Sequence, residues 1–195
     1  MISTARILLF ALLAALIAGT PALAQQTGGG GAKGQPAPEV IDGLLGQLHQ
    51  ADDEAAAKAL EQAVWQAWMR SGSPTVDLLV QQAERAMEAN QHRIAISILS
   101  AAIELEPDFP EVWNRRATAY YLSRQYERSL ADAEKVLELE PRHFAALAGL
   151  GVLHKEMGNQ RAALEAFRRA LAIHPHLSVA QRAVKELELE VEQDL

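Results

Sequence analysis

The sequence predicts an all-α fold of stacked antiparallel helix pairs, and three observations carry that prediction. Alanine and leucine dominate, while β-branched residues never build an alternating run of strand length. Pro107, Pro141 and Pro175 recur at intervals of 34 residues. Each closes a similar phrase, Ala102-Ile103-Glu104-Leu105-Glu106, Val136-Leu137-Glu138-Leu139-Glu140 and Ala170-Leu171-Ala172-Ile173-His174, and self-similarity at a fixed period marks a repeat architecture.

Residues 1–24 read as a secretory signal peptide. Arg6 precedes the apolar run Ile7 to Ala18, then Gly19-Thr20-Pro21 leads into Ala22-Leu23-Ala24, with cleavage expected after Ala24. A dozen apolar residues fall short of the roughly 20 that span a bilayer, so no stable membrane span is expected after cleavage. Residues 25–38, with consecutive glycines from Gly28 to Gly31 and prolines at 36 and 38, form a flexible linker. Lys33 beside the glycine run is not a phosphate loop, because no strand precedes it and no Gly-Lys-Ser/Thr follows.

Residues 39–75 carry two amphipathic stripes, Val40, Ile41, Leu44, Leu45 and Leu48, then Leu60, Val64, Trp65 and Trp68, which suit a degenerate first helix pair. Asp52, Asp53 and Glu54 stand where its second helix begins and read as a cap that favours the helix dipole. Three repeats follow over 76–109, 110–143 and 144–177, each proline falling where a second helix ends. Residues 178–195 form a capping helix with Val179, Ala183, Val184, Leu187 and Val191 on its apolar face. Ser178 and Gln181 there have the spacing of a capping box.

These residues resemble the tetratricopeptide-repeat (TPR) family, whose pattern runs W-x2-L-G-x2-Y, A-x3-F, P. The middle repeat supplies Trp113, Ala117, Tyr120, Ser129, Ala133, Val136 and Pro141. The next supplies Leu147, Leu150, Gly151, His154, Ala163, Phe167, Ala170 and Pro175, and the earlier one Leu79, Ala83, Ala86, Ala95, Leu99, Ala102 and Pro107. The resemblance implies a TPR solenoid, an α-α superhelix with a C-terminal cap. It also implies a pair between Arg116 and Asp132, and a concave groove lined by the first helix of each pair. Carried over residue by residue, the groove holds Glu84, Asn114, Thr118, Tyr121 and Lys155, for an extended or helical peptide. Val80, Ala148 and Val152 depart from the lysine and asparagine pattern that clamps a C-terminal carboxylate.

Composition narrows the function. The formal charge is −7, with cations interleaved among carboxylates, and nucleic acid needs a clustered basic face. Cysteine is absent, which excludes disulfides and thiolate ligands and suits a bacterial envelope protein. His143, His174 and His176 show no metal-binding spacing and read as exposed turn residues, so no metal or other cofactor is expected. Ser97, Ser100, Ser123 and Ser129 lie in no nucleophile motif. The expectation is a non-catalytic scaffold that holds a protein or peptide in the bacterial periplasm. The alternative is a self-assembling structural subunit of an envelope complex, which apolar residues exposed at Trp65, Trp68 or the last helix would favour.

Overall fold

The computed structural model describes residues 36–193, and the described residues are helical with short turns. The signal peptide expected over 1–24 and most of the linker over 25–38 lie outside them. The helices are α1 (Pro38–His49), α2 (Glu54–Trp68), α3 (Pro74–Glu88), α4 (His92–Leu105), α5 (Pro110–Leu122), α6 (Tyr126–Leu139), α7 (Phe144–Glu156), α8 (Gln160–Ile173) and α9 (Ser178–Gln193). From α3 onward each helix packs on the next, and α3 also touches α5, so three pairs stack as the repeat predicts and α9 closes the array.

The period is visible in the backbone. Glu106, Glu140 and His174, each just before a repeat proline, end α4, α6 and α8 in extended geometry, with φ of −136°, −137° and −124°. Proline's ring disfavours a helical residue before it, which is why the second helix stops there. Within each pair the turn passes through a left-handed residue: Asn90 at φ 57°, Arg124 at 61° and Gly158 at 80°. The next N–H then reaches back to a carbonyl of the helix just ended, from Gln91 to Ala86, Gln125 to Tyr120 and Asn159 to His154, at 2.8–2.9 Å.

Helix pairs close through small residues. Ala83, Ala117 and Gly151 share one repeat position, Ala95, Ser129 and Ala163 another, and all are buried. At Gly151 the contact is tightest: an added Cβ would stand 2.7 Å from the Phe167 ring. Ser129 keeps its hydroxyl satisfied by donating to the Ala117 carbonyl at 2.7 Å. Trp113 donates from Nε1 to the Pro107 carbonyl at 2.8 Å, tying α5 to the end of α4. Gln181 makes the corresponding bond to the Pro175 carbonyl, so its side chain serves that turn and no capping box with Ser178 forms.

The N-terminal pair departs from the expected first repeat. Its helices exist, and Asp53 caps α2 by accepting from the Ala56 N–H at 2.8 Å. Little of α2 touches α3. The hairpin instead folds across the array, its Ile41, Leu45, Leu48, Val64 and Trp68 clustering with Phe144 and Ala145, and Ile173 and Leu177 packed alongside. A preceding pair would cover Leu78, as its counterparts Val112, Ala146 and Ala180 are covered to 2% exposure or less, yet Leu78 is 53% exposed. Arg85, in step with buried Ala119, Leu153 and Leu187, is likewise in solvent. Among the described residues no helix pair covers this face of α3, so the array starts at α3.

Gly151→Leu forces α7 from α8 at the Phe167 contact, and overpacking of this kind costs about 1–3 kcal/mol. Thermal unfolding followed by circular dichroism should show a clear fall in Tm; an unchanged Tm would contradict the contact.

Candidate functional site

The first helices bring polar side chains to one face, and a buried charge network runs from α3 across α5 to the start of α7. Arg115 is its centre. Its Nε donates to Glu111 Oε1 at 2.7 Å, and one terminal nitrogen stands 2.9 Å from Glu84 Oε1, a Coulombic contact off the line of a hydrogen bond. The other terminal nitrogen donates to the Met69 sulfur at 3.2 Å. Glu111 is 1% exposed and also accepts from Asn114 Nδ2, at 3.2 Å.

His143 completes the network. It caps α7 by accepting the Ala146 N–H on Nδ1 at 3.2 Å. That bond places the proton on Nε2, which faces Glu111 Oε2 at 3.3 Å as donor. Burial pushes the Glu111 carboxyl up, but Arg115, His143 and Asn114 together hold it below its usual value. Glu84 goes the other way: desolvation lifts it, Arg115 opposes, and the neighbouring Glu111 and Glu88 lift it further.

The five expected groove residues fall on this face, and the structure engages most of them internally. Glu84 pairs with Arg115 and Asn114 with Glu111. Thr118 donates to the Asn114 carbonyl at 3.0 Å, the Tyr121 ring lies 5.7 Å from that of Tyr126, and Lys155 bonds Glu186 of α9 at 2.8 Å. Asn114, Thr118 and Tyr121 are each only 8% exposed. Glu111, which the resemblance also implies as a groove position, and Arg115 join them in the network; their charges were legible in the sequence, but not their burial.

Arg116 makes the expected pair, donating to both Asp132 oxygens at 2.8 and 2.9 Å and to Ser100 at 3.0 Å, with its guanidinium over the Trp113 ring. All of this lies between α4, α5 and α6, so Arg116 holds helices together.

The exposed reading of the turn histidines is corrected. His143 and His174 are 0% and 2% exposed because the α1–α2 hairpin lies on them. Trp68 stacks on the His143 ring at 4.1 Å between centroids and 8° between planes, with Trp65 edge-on to both. Glu61 stands 3.4 Å from His174, the Ala51 carbonyl 2.9 Å from His176, and Asp42 2.6 Å from Arg142. Trp68 is buried and Trp65 partly so, which removes them as surface for self-association; Leu189 on α9 stays 57% exposed. Among the described residues no acidic or histidine cluster has metal-binding geometry, and no helix is long and apolar enough to cross a membrane.

Two tetratricopeptide-repeat family models match, over residues 108–175 and 80–135. A TPR repeat-containing protein of Rhizobium etli is 39% identical over 147 residues, which cover 75% of this chain and 72% of that one. The TPR domain of Sgt2 from Aspergillus fumigatus superposes with a TM-score of 0.60 at 24% identity, over 63% of this chain and 82% of that one. The first TPR domain of Spaghetti (RPAP3), solved bound to an HSP90 peptide, does so with a TM-score of 0.59 at 16% identity, over 62% and 95%.

Replacing Glu111 tests the network by pH. Its folded pKa is depressed, so the carboxylate contributes stability above its unfolded value near 4.5, and that stability is lost as pH falls through the folded value. Glu111→Gln also strips Arg115 of its closest partner, a loss of about 3 kcal/mol at neutral pH. Tm measured against pH should therefore show a gap between wild type and variant that narrows in acid; a gap independent of pH would exclude an ionised Glu111.

Proposed function

Because the chain belongs to the tetratricopeptide-repeat family, we propose that it is a non-catalytic scaffold that binds a protein or peptide through the face lined by α3, α5 and α7. The observation that carries this reading is the preassembled network of Glu84, Arg115, Glu111 and Asn114 on that face. A peptide meeting side chains already fixed by one another pays less ordering entropy than one meeting mobile side chains. Asn114, Thr118 and Tyr121 lie along α5 at spacings of four and three, so amide, hydroxyl and ring follow one face of the helix. Lys155, held to Glu186 at the far end, supplies a cation that a partner's carboxylate could claim.

The setting proposed is the bacterial periplasm, supported by Arg6, the apolar run Ile7 to Ala18 and the small residues Ala22 and Ala24. Expressed from its full gene in a bacterium, the protein should appear in the periplasmic fraction with Gln25 as its N-terminal residue. Retention in the cytoplasm with residues 1–24 intact would defeat that part of the reading.

An affinity pulldown from envelope extract tests the groove. Wild type should recover a stoichiometric partner, and an Asn114→Ala, Tyr121→Ala variant with an unchanged circular dichroism spectrum should recover at most about a tenth as much, as hot-spot losses of 1.4 kcal/mol or more imply. Equal recovery by both would move the site off this face.

A further inference from the structure

The α1–α2 hairpin occupies part of the surface that the first helices offer. Asp77, Glu111 and Ala145 hold the same repeat position at the start of α3, α5 and α7. Asp77 is exposed, whereas Glu111 and Ala145 are 1% and 4% exposed. Ala145 is covered by the hairpin's apolar cluster, and Glu111 is held by His143, on which Trp68 is stacked. Met69, just past α2, reaches Arg115 beside them. The hairpin therefore lies across one margin of the binding face and is not a layer of the solenoid.

Several features detract from this docking, against the apolar cluster that favours it. Gly43 and Gly46 sit inside the 12-residue α1 with nothing within 4 Å of where a Cβ would be, so no close approach requires them and they only weaken the helix. Helices this short have marginal order by themselves, so the hairpin's structure depends on the strip beneath it. Trp68 Nε1 and His174 Nδ1 are both buried without a hydrogen-bond partner among the described residues. The rim is polar and wet: Asp42 and Arg142, which pair there, are 59% and 43% exposed at their side chains.

We propose that α1–α2 is an intramolecular ligand that keeps this margin closed, and that a protein partner opens it by laying an amphipathic helix in its place. This rests on the reading of α3, α5 and α7 as the binding face. The strip fixes the partner's chemistry. Phe144, Ala145 and Leu177 offer an apolar floor, the His143 ring a stacking surface, and Arg142 and His174 the polar partners, which the hairpin meets with Trp68, Asp42 and Glu61. The displacing helix carries carboxylates beside an aromatic anchor, as α2 does with Glu61, Val64, Trp65 and Trp68.

Two variants of the full chain move the closed state in opposite directions without touching the solenoid. Asp42→Arg with Glu61→Arg sets cations against Arg142 and His174 and opens the hairpin; Gly43→Ala with Gly46→Ala strengthens α1 and closes it. The probe is a labelled synthetic peptide of residues 36–70, its binding followed by fluorescence anisotropy. Binding to a site that is only fractionally open is weakened by that fraction, so the opened variant should bind the peptide about tenfold or more tighter than the closed one, with wild type between. Equal Kd for all three, with unchanged solenoid melting, overturns the proposal, as does failure of the opened variant to bind at all. Running the envelope pulldown on both variants separates the two readings. A partner recovered equally by both leaves the binding face standing and removes the hairpin as its gate. Peptide affinities in the expected order with no envelope protein recovered support the gate and count against the partner reading.

Discussion

Close approach of paired helices is the constraint on which the rest of this molecule depends. Two helices come within backbone reach only where one of them carries almost no side chain, and Ala83, Ala117 and Gly151 meet that need once per repeat. Gly151 against Phe167 is the extreme case, since a large ring opposite compensates for a missing methyl. Lys185 holds the same position in α9 and is exposed, so among the described residues no helix closes on it. The position that builds a pair by being small is thus long and charged in the helix that has no described partner.

A matching device marks the other end. Leu78, Gln81 and Arg85 form the stripe of α3 that corresponds to Val112, Arg115 and Ala119 of α5, and the later stripes lie under the preceding pair. Arg85 donates to Gln81 at 3.2 Å in solvent, a pairing that a covering helix would bury at a cost. The sequence therefore held the information that α1–α2 is not a first repeat, written in what α3 lacks and not in what α1 and α2 contain. Their own apolar stripes bury, except for Val40 at 50% exposure, because burial is a property of amphipathic pattern; where they bury is not.

That distinction separates what was legible from what was not. Helix order, the prolines and the small positions recur every 34 residues, so one repeat predicts the next. The Arg116–Asp132 pair came with the family pattern. Docking of the hairpin on Phe144, His143 and His174 joins segments about a hundred residues apart with no internal copy to compare, and single-sequence periodicity contains nothing about it. The turn histidines were misjudged for the same reason: a histidine in a turn is exposed unless something distant lies on it. The expected groove residues lie on α3, α5 and α7, but Asn114 bonded to Glu111 and Lys155 to Glu186 are facts of side-chain geometry that periodicity does not contain.

Those internal bonds govern how a partner can bind. A group already satisfied inside the protein gains little from a new hydrogen bond, because the old one must be given up. Glu111, almost without exposure and held by Arg115, Asn114 and His143, is therefore not a direct contact but the anchor that orients Arg115 and Asn114. Glu84 differs, with its carboxyl lifted by burial and by neighbouring negative charge. A cationic side chain arriving beside it opposes that lift, as Arg115 already does. The face is thus uneven along its length: Glu84 at α3 has charge to offer a basic group, whereas Lys155 at α7 already bonds Glu186 and must give up that ion pair to take a carboxylate. On the reading proposed for this face, a peptide gains most by placing a basic group at Glu84, while the buried network beside it holds the surface in place.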